Sequence, residues 1–369
     1  RWHAQSNLAV ALKHCVCPGT TVEVPGVLTP AHNSNNRAIA MNLTRSLPAC
    51  LALSLIAFTV HAADGPPPPT VSQPSGINLG GTSFYDGFAG PPGLTHQTYL
   101  KFSTASSIRD NGGKDNRNFD NPTINVITLI NQFSYYSPDT IGGGAHLGWS
   151  LLVPVVSLDG NFGDNGVKLK DNGVGLGDVT VGPQIQFDPI VNAEGRPVFV
   201  QRVAFDTILP TGKYDKHKDL NPGSNYFSFN PYWAATLMPA PRWEVSWRLN
   251  YLYNFKNNDP ASSSTQVFEG RPVRDTQSGQ SAWANFTASY EVFPKVSVGI
   301  NGYYFRQISD DQVNGDRLSN SREKVLGIGP GLFWKMTEDK AFWLNTYKET
   351  GVENRSKTDY AVQVRYVHK

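Results

Sequence analysis

Residues Arg242 to Lys256 read RWEVSWRLNYLYNFK, with an apolar or aromatic side chain at nearly every second position. Trp243, Val245, Trp247, Leu249, Tyr251, Tyr253 and Phe255 share one face, and Glu244, Ser246, Arg248, Asn250 and Asn254 share the other. Side chains alternate across a β-strand, so a period of two sustained over this length marks a strand with one apolar and one polar face. The aromatic face suits lipid and the polar face suits water. The same split recurs in Asp178 to Asp188, where Val179, Val181, Pro183, Ile185 and Phe187 oppose Asp178, Thr180, Gln184 and Gln186. It recurs again in Lys324 to Met336, where Leu326, Ile328, Pro330, Leu332 and Trp334 oppose Gly327, Gly329, Gly331 and Lys335. Proline inside a strand usually marks an edge, which makes Pro183 and Pro330 the weak points of the pattern.

Extending this reading predicts about twelve strands, near 94–108, 122–136, 142–157, 174–188, 196–209, 224–238, 241–257, 278–293, 295–309, 322–337, 340–349 and 356–367. Each is long enough to cross a bilayer, which takes roughly 9–11 residues in a tilted strand. The connections alternate in length. Those at 137–141, 189–195, 239–240, 293–294 and 338–339 are short, whereas those at 109–121, 158–173, 210–223, 258–277 and 310–321 are longer and rich in Asp, Asn and Gly. Short periplasmic turns and long external loops are the pattern of a bacterial outer-membrane barrel. A soluble β-sandwich also alternates, but soluble strands average about 5–6 residues. The predicted fold is therefore all-β, a transmembrane antiparallel β-barrel. Twelve strands about 4.8 Å apart and tilted about 40° give a backbone radius of roughly 12 Å, a lumen that a short segment can block.

Composition agrees with this class. Only 17% of the 369 residues are charged, against 8 Trp, 15 Tyr, 19 Phe, 34 Gly and 26 Pro, and mean hydropathy is −0.34. This is not the profile of a helical membrane protein, and the formal net charge of +2 offers no basic stripe for nucleic acid. Met41 is followed by MNLTR, LPACLALSLIAFTV and HAADG. Arg45, the apolar Leu47 to Val60, and the small Val60 and Ala62 form a signal peptide over 41–62 with cleavage after Ala62. Residues 1–40 then read as upstream sequence or a misassigned start. Cys15, Cys17 and Cys50 all precede the cut, so the mature chain has neither disulfides nor cysteine metal sites. Subtracting Arg1, Lys13, Arg37, Arg45 and Glu23 from 32 basic and 30 acidic residues leaves 28 and 29.

No cofactor or metal motif is found, and the enzyme reading is rejected. Mature histidines are His96, His146, His217 and His368, with no HxxxH or HExxH spacing. His146 and Ser150 are the nearest approach to a hydrolase pair, but four residues along a strand separate them too far for a hydrogen bond. Gly175 to Asp178 resembles a phosphate loop without the helix such a loop needs. The informative set is the inward face, with lumen-lining Lys101, Asp178, Gln184, Gln186, Arg202, Asp206, Glu244, Arg248, Asn250, Glu291, Asn301, Gln363 and Arg365. Most of these read as a cross-strand ion-pair lattice, the rest as groups that set what passes. Residues 63–93 hold GPPPPTVSQPSG and FYDGFAGPPG, too rich in Pro and Gly for helix or strand. A disordered tail is one reading. The cluster of Phe84, Tyr85 and Phe88 supports another, a plug that folds back into the lumen from the periplasmic side.

FYDGF (Phe84 to Phe88), GLGDVTVGPQI (Gly175 to Ile185), LPTGKYD (Leu209 to Asp215), LNPGSNYFSFNPYWAATLM (Leu220 to Met238), GINGYYFRQISDD (Gly299 to Asp311) and LGIGPGLFW (Leu326 to Trp334) follow in order. Together they resemble the outer-membrane transporters grouped as the meta-pathway of phenol degradation family. The resemblance covers most of the mature chain. It implies a bacterial outer-membrane channel that admits small hydrophobic compounds, phenols or other aromatics, by passive uptake. The alternatives are a structural or surface-binding barrel and, further off, a lipid hydrolase. The partners implied are the lipid bilayer, a small hydrophobic solute and the outer-membrane assembly machinery. That machinery commonly reads a terminal aromatic residue, whereas this chain ends Arg365-Tyr366-Val367-His368-Lys369, leaving Tyr366 as the aromatic available.

Overall fold

The computed structural model describes residues 71–74, 76–90 and 92–368. The expectations for residues 1–40, the signal peptide and the three cysteines lie outside the described residues. Twelve long strands build the molecule: β1 (Gly93–Ile108), β2 (Thr123–Thr140), β3 (Ala145–Asn161), β4 (Thr180–Phe187), β5 (Pro197–Ile208), β6 (Ser228–Leu237), β7 (Trp243–Asn254), β8 (Ser281–Phe293), β9 (Val296–Gln307), β10 (Lys324–Lys335), β11 (Lys340–Glu353) and β12 (Ser356–His368). Each pairs antiparallel with the next. β1 also pairs with β12, from His96 opposite His368 to Ile108 opposite Ser356, so the sheet closes on itself. Closure removes the open edges that strands of this length would otherwise expose.

All twelve expected strands are present, in order and with the expected pairing. Differences are local. The strand expected over 174–188 is broken: Val174–Leu176 pairs separately with β3, and β4 starts at Thr180. The β4–β5 ladder passes from Val181 opposite Thr207 to Gln184 opposite Ala204, skipping Pro183, and the β10–β11 ladder skips Pro330 in the same way. Proline lacks the N–H that a ladder requires. β11 continues to Glu353, so its link to β12 is only Asn354-Arg355, with Asn354 at φ 54°. The long loops are more ordered than simple polar loops. Thr276–Gln277, Asp311–Val313 and Asp316–Leu318 form a three-stranded sheet, anchored by the fully buried Val313.

The outward face carries two rings of aromatic side chains. Tyr135, Trp149, Trp243, Phe293, Trp334 and Tyr366 stand near the short-turn end, and Phe205, Phe229, Tyr251, Tyr304 and Tyr360 near the long-loop end. Exposed aliphatics such as Leu129, Val155, Leu249, Ile300 and Ile328 fill the band between them. An apolar belt flanked by aromatic girdles is what an outer membrane demands of a barrel. The polar side chains point inward. Along β7, Glu244, Ser246, Arg248, Asn250, Leu252 and Asn254 are all buried while their neighbours face out or are half-buried.

Candidate functional site

What buries those polar groups is the chain itself. Residues 71–74 and 76–90 have no strand or helix and run through the lumen from its long-loop end to its short-turn end. At the outer end, Tyr226 donates to the Ser72 carbonyl at 2.6 Å, and Gln73 bonds both Gln307 and Asn254 at 3.1 Å. In the middle, Trp283 Nε1 donates to the Asn78 carbonyl at 2.9 Å and Tyr347 to the Gly80 carbonyl at 2.7 Å. Gly80, at φ 73°, presses so closely on the Tyr303 and Tyr347 rings that a Cβ would stand 2.9 Å or less from each. Farther down, Ser83 donates to Asn345 and Trp343 to the Phe84 carbonyl, both at 3.1 Å. Near the short turns, the amides of Gly87 and Ala89 donate to Thr236 and Gln186 at 2.9 Å. A segment without secondary structure must satisfy its backbone elsewhere, and here the barrel's side chains do so.

The strongest attachment is electrostatic. Asp86 is 2% exposed and receives three bonds: Arg248 Nε at 2.8 Å, Arg248 Nη2 at 2.8 Å and Arg202 Nη2 at 2.9 Å. Both guanidinium groups also stand over Tyr232, at 4.1 Å for Arg248 and 5.8 Å for Arg202. Buried charges persist only when paired and hydrogen-bonded, and this triad meets both conditions.

Several residues expected to line the lumen meet this segment. Lys101 donates to the Leu79 carbonyl at 3.1 Å and Gln363 to the Gly81 carbonyl at 2.9 Å. Glu244 accepts from the Tyr85 amide at 3.1 Å, and Gln186, Arg202 and Arg248 bond as described. Gln184 accepts from Tyr136, while Asp206 and Asn250 are buried with Asp206 Oδ1 and Asn250 Oδ1 unpartnered. Asn301 donates to the Thr346 carbonyl at 3.1 Å, and Arg365 Nε donates to Gln97 at 3.0 Å. Glu291 sits at the short-turn rim and accepts from the Lys295 amide at 2.8 Å. Asp178 does different work: its carboxylate binds the amides of Gly212 at 3.0 Å and Ser224 at 2.7 Å, pinning the loop between β5 and β6.

The expected cross-strand ion-pair lattice is corrected by these contacts. Among the described residues, none of the thirteen forms an ion pair with another, and two of the three inward arginines, Arg202 and Arg248, are instead paired with Asp86 of the segment. Asp86 went unnamed among the candidates although it lies inside FYDGF. The available signal was one acid set amid the aromatics of FYDGF. His146 bonds the Ser137 carbonyl and Asp188, not Ser150.

Of the three aromatics expected in the segment, Phe84 is fully buried and Tyr85 and Phe88 are half-buried. Phe84 packs against Gly331, and Tyr85 lies 4.9 Å from the Phe333 ring, which lies 4.9 Å from that of Trp343. At the short-turn end the segment leaves two cavities, both touching Phe88, Ala89 and Gly90. The larger is about 570 Å³ and is walled by Tyr85, Phe333, Trp343 and Arg365; the smaller is about 300 Å³, beside Tyr136 and His146. At the opposite mouth, Asp311 accepts from the Gly279 amide at 2.7 Å and from Gln307 at 2.6 Å. Burial, opposed by the Gly279 amide and reinforced by nearby Glu323, pushes its carboxyl up to about 7.

An aromatic-girdled, twelve-stranded barrel with a chain segment through its lumen defines the class: an outer-membrane β-barrel. Residues 105–366 match the model of the family described as "Putative MetA-pathway of phenol degradation", and the chain belongs to that family. Its fold is similar to that of the COG4313 outer membrane channel from Pseudomonas putida F1, with a TM-score of 0.61 at 20% identity, covering 77% of this chain and 97% of that one. The NanC porin (TM-score 0.36, 9% identity, 74% and 99% covered) and the β domain of the Bordetella autotransporter BrkA (0.43, 11%, 75% and 99%) are too distant to carry an argument. No curated protein matches the sequence.

Proposed function

We propose that the barrel is a channel for passive uptake of small hydrophobic compounds, phenols and related aromatics among them, and that the lumen segment is a displaceable obstruction. The observation that carries this reading is the larger cavity, where aromatic rings of the segment (Tyr85, Phe88) and of the wall (Phe333, Trp343) face one space of about 570 Å³. That size lies in the range of small-molecule sites, roughly 300–1,000 Å³. The family's name adds the direction toward phenols.

Liposomes carrying the purified protein should take up phenol faster than empty ones, and deletion of 64–88 should raise both uptake and single-channel conductance. Equal uptake in loaded and empty liposomes across several phenols and alkanes would remove the channel reading. A second reading, a structural or surface-binding barrel, draws on the Asp86 triad, which fastens the segment firmly. It expects the deletion to lower stability and leave uptake unchanged.

A further inference from the structure

The larger cavity carries a feature that a purely apolar conduit does not need. Arg365 of β12 stands on its wall, 8% exposed, with its guanidinium 3.9 Å over the Trp343 ring and 5.5 Å from that of Tyr99. Nε donates to Gln97 at 3.0 Å, but Nη1 is buried without a hydrogen-bond partner. Among the described residues no carboxylate forms an ion pair with Arg365, whereas the two other buried lumen arginines, Arg202 and Arg248, share Asp86. A buried cation without its counter-charge is costly, and a guanidinium edge matches a carboxylate in geometry as well as charge.

The surroundings of that free edge are flat and aromatic. Trp343, Phe333 and Tyr85 form a run of ring contacts at 4.9 Å each, with tilts of 46° and 52°. The other charges lie at the rim, where Lys335 pairs with Glu338 at 2.7 Å and Lys295 and Lys340 add positive charge beside Glu291 and Asp339. We propose that this cavity binds a small planar aromatic ring bearing a carboxylate, the anion on Arg365 and the ring against Trp343, Phe333 and Tyr85. The inference rests on the uptake reading above and narrows it from hydrophobic solutes in general to aromatic acids.

The test is equilibrium titration of the full mature chain in lipid nanodiscs with 2-naphthoate, its neutral analogue 2-naphthylmethanol, and the aliphatic octanoate. The naphthoate should bind about tenfold or more tightly than either, as a charge-assisted hydrogen bond would give. Arg365→Gln should abolish the preference for acid over alcohol without weakening the alcohol, and Arg365→Lys should keep part of it. Tyr85→Ala lies on the segment and outside the barrel wall, and should weaken both ring ligands together. Heat-modifiable migration on gels verifies that each variant is a folded barrel. Equal binding of acid and alcohol, equal binding of naphthoate and octanoate, a preference that survives Arg365→Gln, or no effect of Tyr85→Ala overturns the proposal. Phenol flux measured on the same preparation separates the two readings: flux without acid preference rejects the site and spares uptake, while acid preference without flux does the reverse.

Discussion

Gly331 of β10 and Phe84 of the lumen segment are in such close contact that a Cβ on Gly331 would stand 2.7 Å from the Phe84 ring and 2.1 Å from Asn301 Oδ1. No room exists for a larger side chain unless Phe84 or Asn301 moves. Gly331→Val should therefore loosen the segment by about 1–3 kcal/mol, the usual cost of overpacking. Planar-bilayer recordings should show higher or more frequently open conductance from a barrel that still migrates as folded. Wild-type conductance in that variant would mean that Phe84 does not seat the segment.

Asp86 holds two buried arginines, so removing it and removing one arginine are unequal injuries. Asp86→Asn removes the ion-pair partner of both guanidinium groups, and breaking a buried pair in this way costs about 3–5 kcal/mol. Arg248→Met leaves the Asp86–Arg202 contact at 2.9 Å in place and should be the milder change. Limited proteolysis of the segment should follow that order, with Asp86→Asn cut faster. The reverse order would place the hold elsewhere.

The segment also has a direction. Ser72 is exposed beside Tyr226 at the long-loop end, whereas Ala89 meets Gln186 at the short-turn end. With long loops outward, a cysteine placed by Ser72→Cys should react with a membrane-impermeant maleimide on intact cells. Labelling only after the outer membrane is broken would invert this orientation.

Asp311 predicts a pH response at the outer mouth. An unfolded aspartate titrates near 3.9, and here burial pushes the carboxyl up to about 7. The folded loop thus holds the proton more tightly than the unfolded one. The stability contributed by the protonated group is fully present below about pH 4 and is lost as the pH rises through about 7. Proteolysis of the loop over 308–323 should be slower at pH 5 than at pH 8, and Asp311→Asn should flatten that difference. A loop equally resistant at both values would reject the assignment.

The barrel was legible because lipid on one side and a polar lumen on the other impose a strict two-residue period, as Trp243 to Phe255 displays. Breaks in the pattern had equally local causes, since Pro183 and Pro330 simply lack a donor. The lumen was less legible because its contacts join residues far apart in the chain. Gly327, Gly329 and Gly331 read only as the face of β10 opposite Leu326, Ile328 and Leu332. In the fold, two of these positions make room for particular rings, Tyr303 at Gly327 and Phe84 at Gly331. Nothing near residue 331 in sequence announces an aromatic from residue 84. Likewise Arg202 and Arg248 looked like candidates for neighbouring strand carboxylates, and their partner came instead from a segment more than a hundred positions earlier.

The seam of the barrel lies between β1 and β12, and the segment leads directly into β1. Consequently a piece of chain made before any of the strands is enclosed by a wall that is sealed only when the last strand arrives. Synthesis order and sealing order run in opposite senses, so the segment either is in place while the wall is still an open sheet or must be threaded afterwards through a hole its own length. An open sheet offers Trp283, Tyr347 and Trp343 as successive docking points before any hole exists. On that route the occupant works as a mandrel around which the cylinder is rolled.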